Sequence, residues 1–309
     1  MELEGLTLHE EVDQGVLRRL LREIDDDGAL WCPVIVDKES MVVLDGTHRV
    51  NALRTLGCKY VCVYFVDYSD PKIGVKKWFR AIPEHLHKGR VEEVAEGLSI
   101  ALIPLDYSMV KDVSYPVLRL TDGNSFALVP RSDSLRCIDI LRRFERRLEA
   151  LGYEMDYDTE TDACDKLTRS AVSAILQPPT LWKEQVVSSA VQGHVLPCKA
   201  TRHVIPGRPM GVDVPLTLLK NHKISLEEAN ARLATLIKRK KTEDMPPGTL
   251  WRGRRYDEHT CIFADGSDQE TGSAPGIINP MSTEFGRSLS REGLLTGKKN
   301  ERREKICKT

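Results

Sequence analysis

The run Val42-Val43-Leu44-Asp45-Gly46-Thr47-His48-Arg49 (VVLDGTHR, residues 42–49) passes from apolar to polar in one step. Its β-branched first half predicts a strand, and Asp-Gly predicts a tight turn. Val50, Leu53 and Leu56 then mark a short helix that Gly57 closes. A turn that leads straight into a helix points unpaired backbone N–H groups outward at the positive helix end, an arrangement suited to phosphate. Gly46 lets a ligand come close to the backbone. Thr47 adds a hydroxyl, His48 and Arg49 add donors, and Asp45 is placed to hold Mg²⁺ or a water. The same five residues also read as an Asp-Gly turn followed by a surface histidine and arginine.

Working outward, Pro33 introduces a second apolar run, Val34-Ile35-Val36, joined to the first through the polar turn Asp37–Ser40. Upstream, Val16, Leu17, Leu20, Leu21 and Ile24 lie at helical spacing, and Asp25-Asp26-Asp27-Gly28 ends that helix. Tyr60 to Val66 predicts a third strand. His9-Glu10-Glu11 precedes the first helix; a carboxylate there is a dipole partner for the helix end or a member of a site.

Further along, Ile100–Pro104 and Ser125–Pro130 read as strands. Ser134–Leu151 reads as an amphipathic helix with an Arg-rich face, which the pattern treats as solvated surface. Glu184–Gln192 reads as a helix stopped by Gly193. Ser225 and Glu228 form a capping box that opens a last helix. Between them lies Lys199-Ala200-Thr201-Arg202-His203-Val204-Ile205-Pro206, flanked by Pro197 and followed by Gly207, Pro209 and Gly211. Hydroxyl, guanidinium and imidazole stand side by side in a stiff loop, a place to grip a small anion, or an ordinary basic loop. From about Ala264 Gly, Ser, Asp and Thr dominate, and that tail is expected to be disordered.

The formal net charge of -1 gives no overall basic field, so nucleic acid and anionic membranes are not the expected partners. The acidic, polar N-terminus shows no leader pattern and no run reaches membrane-spanning length, which predicts a cytoplasmic protein. Eight cysteines without a CxxC pair read as reduced and mostly buried.

In order, HEE, a helix, PVIVD, VVLDGTHR, LGCKYVCVYFVDY, Trp78 and, much later, PCKATRHVIPGRPMGVDVPLTLL resemble the free L-serine kinases, over about residues 5–257. The resemblance implies an α/β (α+β) fold with a ParB/sulfiredoxin-like nucleotide-binding domain over 1–90. A second α+β, substrate-binding domain would follow over 91–263, with the tail over 264–309. It implies phosphoryl transfer from ADP or ATP, with Mg²⁺, to the hydroxyl of L-serine. On this resemblance Glu10 and Asp45 are catalytic, with Asp45 also near the metal. Gly46, Thr47, His48 and Arg49 bind the nucleotide phosphates, and Trp78, Thr201, Arg202 and His203 bind serine. A ParB-like nucleotide-dependent DNA-binding or regulatory protein is the alternative, and it would carry a helix-turn-helix after the first domain. A sulfiredoxin would need a cysteine where Thr47 stands.

Overall fold

The computed structural model describes residues 1–106, 113–131, 136–251 and 254–265. Its first sheet has four strands in the order Thr7–Leu8, Val42–Asp45, Val34–Asp37, Val63–Val66. Val34–Asp37 runs antiparallel to Val42–Asp45 and parallel to Val63–Val66, while Thr7–Leu8 runs parallel to Val42–Asp45. The helices Gln14–Asp27 and Thr47–Thr55 pack on it. Asp13 caps the first of them, its carboxylate accepting from the Val16 N–H at 2.7 Å. Gly28, at φ 66°, ends it in the left-handed conformation expected of a terminal glycine.

The third strand is shorter than Tyr60–Val66. The N–H groups of Lys59 and Tyr60 bond to the Leu219 carbonyl and that of Val61 to the Met1 carbonyl, so this backbone is used outside the sheet. Cys58 and Cys62 are buried in the core beside it. That core also takes in Val212, Val214, Leu216, Leu219, Ile224 and Ala229, carried by the strand Val214–Pro215, paired with Ala29–Leu30, and by the helices Leu216–Leu219 and Leu226–Lys238. Ser225 caps the last of these by accepting from the Glu228 N–H.

The second sheet is antiparallel with six strands, in the order Asp156–Asp158, Phe79–Ile82, Ala174–Gln177, Val117–Leu120, Ser125–Pro130, Ile100–Pro104. Alternation along the strands sorts the side chains between two faces. Ile82, Leu118, Ala174 and Leu176 pack under the helices Lys88–Gly97 and Cys137–Ala150. Phe79, Ala81 and Ile175 pack under Glu160–Thr168. Arg80 is out of phase with Phe79 and Ala81, so it lies on the face that carries Cys137–Ala150. That helix begins later than the sequence pattern placed it; Ser134 lies outside the described residues. Chain composition and topology together make this an α+β protein.

A third sheet places Arg208–Met210 parallel to Thr260–Asp265, which pairs antiparallel with Lys240–Met245. Ala264 and Asp265 are therefore strand residues, and 266–309 lie outside the described residues. Two further pairings join segments distant in the chain. Arg202–Val204 runs antiparallel to Gly74–Lys76, and Glu10 bridges to Leu196.

Candidate active site

The ten residues singled out from the sequence line one pocket. Gly46 is the pivot of its phosphate side. At φ 113° it caps the helix Thr47–Thr55, and a Cβ there would sit 3.0 Å from the Arg49 Nε. Arg49 folds back over this turn. Its Nη1 donates to the carbonyls of Cys32 and Pro33 at 2.9 Å each, and its Nη2 lies 3.1 Å from the Asp45 Oδ2. Asp45 Oδ2 also accepts from Arg208 Nη1 at 2.5 Å. His48 accepts the Asp13 N–H at Nε2. Burial, and after it the Lys199 cation, holds its pKa down to about 4, so it is neutral near pH 7 and acts as a dipole rather than a charge.

Glu10 forms the centre of the other side. Its Oε1 accepts from the Thr201 N–H at 2.7 Å and the Thr201 hydroxyl at 2.6 Å, and its Oε2 accepts from the Lys199 N–H at 3.2 Å. Burial alone would raise its pKa; hydrogen bonds from His9 and Thr201 overcome that and hold it down to about 2. His9 is itself fixed, with Nδ1 2.6 Å from the Val43 carbonyl and Nε2 2.9 Å from the Thr201 hydroxyl. The carboxylate so held lines the pocket.

Arg202 and His203 are both buried. Arg202 Nη2 donates to Asp257, which also takes Lys76 Nζ at 2.9 Å, and its guanidinium lies 5.7 Å from the Trp78 ring centroid. Tyr68 Oη is 2.7 Å from His203 Nε2. Burial, then His9, pushes His203 down to about 3, so it is a neutral ring. The Arg202 Nε and His203 Nδ1 are buried atoms without a hydrogen-bond partner among the described residues. Such groups cost free energy until something pairs with them, and both of these residues line the pocket.

Reading the sequence alone missed Arg208. It is buried between Asp45 and Glu258, both of which raise its pKa against the opposing effect of burial, and it donates through Nη2 to the His203 carbonyl at 2.7 Å. It therefore joins the phosphate side to the Thr201–His203 side. Its position in a Pro/Gly-rich loop carried no signal, because its two acids lie 163 and 50 residues away. Tyr68, Asp257 and Glu258 were missed for the same reason.

No family model matches the chain. The chain is 28% identical over 231 residues to the ATP-dependent L-serine kinase of Staphylothermus marinus, covering 71% of this chain and 90% of that one. It is 23% identical over 223 residues to the ADP-dependent L-serine kinase SerK of Thermococcus kodakarensis, covering 70% and 90% respectively. The solved structure of a free serine kinase in complex with AMP superposes with a TM-score of 0.61 at 23% identity, over 71% of this chain and 92% of that one. The chain thus has the fold of that free serine kinase, and the two relatives it resembles at 23–28% identity are nucleotide-dependent L-serine kinases.

Proposed function

We propose that this protein transfers a phosphoryl group from ATP or ADP to the hydroxyl of free L-serine, giving O-phospho-L-serine. The observation that carries the reading is the convergence on one pocket of a helix-opening glycine turn, a hydrogen-bonded carboxylate, and the buried Arg202 Nε and His203 Nδ1, neither of which has a partner among the described residues. On this reading residues 1–90 carry the groups that bind the donor phosphates, and 91–263 carry Thr201, Arg202 and His203. Arg202 Nε and His203 Nδ1 hold the amino acid's carboxylate, with Trp78 beneath it. The backbone N–H groups at Gly46 and Thr47 receive the donor phosphates.

Glu10 then accepts the serine hydroxyl at Oε2 and aims it at the phosphorus. A group held at about 2 is a weak proton acceptor, but phosphoryl transfer through a loose transition state asks little of a base until the new bond has formed. Its main contribution is orientation, with the proton leaving late. Arg208 and Arg49 pair with the Asp45 carboxylate and hold it at the phosphate side.

Mg²⁺ belongs to this reading in a restricted form. Among the described residues no group of three or more His, Cys, Asp or Glu side chains is arranged to hold a metal. Mg²⁺ commonly binds through one or two carboxylates with substrate phosphates and water, so the donor set fits an ion brought in on the nucleotide, with Asp45 as its protein ligand. When bound it neutralises charge on the phosphates.

No helix among the described residues is long and apolar enough to cross a membrane, and we place the reaction in the cytoplasm. Beyond Trp78 the chain builds the six-stranded antiparallel sheet, where a DNA-binding ParB-like reading calls for a helix-turn-helix. Purified protein incubated with L-serine, Mg²⁺ and either nucleotide should form phosphoserine. Binding of both ligands with no phosphoserine above a no-enzyme control would replace the kinase with a regulatory protein.

A further inference from the structure

Arg80 is the one fully buried cation of the six-stranded sheet. Its Nε donates to Glu145 on the helix Cys137–Ala150. Its Nη1 donates to the carbonyls of Trp78 at 2.7 Å and Lys199 at 3.0 Å, and its Nη2 to that of Cys198 at 3.0 Å. The Tyr157 ring centroid lies 5.1 Å from the guanidinium. Neither Arg80 nor Glu145 lines the pocket.

Two of the carbonyls that Arg80 holds, those of Cys198 and Lys199, belong to the same short segment as the N–H groups that Glu10 holds. The Cys198 carbonyl and the Lys199 N–H are two ends of one peptide group. Arg80 grips the first and Glu10 Oε2 accepts from the second. The next carbonyl, of Lys199, is also on Arg80, and two residues after the gripped N–H comes the Thr201 N–H on Glu10 Oε1. The segment is thus stretched between a buried guanidinium behind and a carboxylate in front. Lys199 sits at φ 59°, a left-handed conformation that a lysine holds only when its surroundings over-determine it. Trp78, under Arg202, is tied to the same guanidinium through its carbonyl.

From this geometry we propose that Arg80 is a positioning residue of the phosphoryl-transfer site, acting on Glu10 through the Cys198–Thr201 backbone and on the serine pocket through Trp78. Glu145 is the counter-ion that makes its burial possible. The inference rests on the kinase reading for its consequence in turnover, but the backbone arrangement it describes does not depend on that reading. Only a planar fork serves four acceptors at once; an ammonium in its place keeps the charge and loses the geometry.

The test is Arg80→Lys, read by kcat and by a carbon-13 NMR titration of the Glu10 carboxyl. We expect a folded protein with kcat lowered about 10²-fold, as for a small misplacement of a reacting group. Nucleotide KM should change little, and Glu10 should titrate well above its wild-type position. A folded Arg80→Lys protein with wild-type kcat overturns the proposal, and so does an unmoved Glu10 titration. If Arg80→Lys does not fold, the double change Arg80→Met with Glu145→Leu removes both buried charges together, a replacement that buried ion pairs often tolerate. The same two readouts then decide. If the wild-type protein makes no phosphoserine, the kinase reading fails and the Glu10 titration alone decides the inference.

Discussion

The two sides of the pocket are built in different ways. The turn of the phosphate side is local: one strand, one glycine and the first turn of one helix, all within Val42–Thr55, with Arg208 joining it from outside. The Glu10 side is assembled from segments at 9–10, 68–80, 145, 198–203 and 257, and buried charges hold it together. A local turn needs only its own backbone dihedrals. A dispersed site needs every scaffold element in place before any contact forms, so its residues depend on partners that are distant in the chain. Substitutions on the dispersed side should therefore have larger and more selective effects on turnover, and those on the local side should act on nucleotide binding.

The largest expected effect is at Glu10. Glu10→Gln leaves one oxygen to accept from Thr201 but turns an amide toward the Lys199 N–H and toward the place of the serine hydroxyl. We expect kcat to fall at least about 10²-fold, as for misplacement of a reacting group, with nucleotide affinity little changed. Near-normal kcat in steady-state assays would move the catalytic role to Asp45.

Next is Arg202→Ala. It removes the buried guanidinium between Asp257 and Trp78 and leaves the Asp257 carboxylate to Lys76 alone. Serine use should weaken by about 2–5 kcal/mol, the cost of truncating one partner of a buried charge pair, and nucleotide binding far less. Equal losses in calorimetric titrations with the two ligands would put Arg202 on the phosphate side and erase the distinction between the sides.

How much of this was legible in the sequence follows the same division. VVLDGTHR contained its strand, turn and helix in eight consecutive letters, and the helix Gln14–Asp27 had its stripe and glycine stop in line, though its Asp13 cap was not read. Ile100–Pro104 and Ser125–Pro130 matched their apolar runs residue for residue. Phe79–Ile82 was not legible, because Phe-Arg-Ala-Ile places an arginine in a fully buried strand. Only its Glu145 partner, 65 residues on, explains it. Arg202–Val204 read as a stiff loop. It is a strand because Gly74–Lys76 lies beside it, which nothing within either segment announces. Thr201, Arg202 and His203 stood out as a chemical cluster, but Arg208 did not, since its acids come from Asp45 and Glu258.

The Glu10 side should also be the acid-sensitive one. Glu10 titrates at about 2 in the folded protein against an ordinary 4.5, so its folded-state pKa is depressed. Stability from that difference is present above pH ~4.5 and is lost as pH falls through about 2. At roughly 1.4 kcal/mol per pKa unit, the full effect is about 3 kcal/mol. Chemical denaturation between pH 6 and pH 2.5 should show this decline in wild type and a shallower one in Glu10→Gln. Parallel curves for the two proteins would mean that Glu10 is not held by the Thr201 and Lys199 backbone in solution.

The smallest effect is predicted for Gly46→Ala, and it tests the local side. At φ 113° an alanine pays for an unfavourable backbone conformation, on the order of 1–3 kcal/mol. The new methyl would also meet the Arg49 Nε at 3.0 Å, and because that contact is to a movable guanidinium, the side chain can swing aside. Swinging aside lengthens its hydrogen bonds to the carbonyls of Cys32 and Pro33 and frees one of the two guanidinium groups on Asp45. Arg49 and the Cys32 and Pro33 carbonyls belong to the local side. The loss should therefore appear as a raised nucleotide KM and a slightly lower melting temperature, with serine KM unchanged. A Gly46→Ala enzyme whose serine KM rises as much as its nucleotide KM would show that the turn and the dispersed side move together through Arg208.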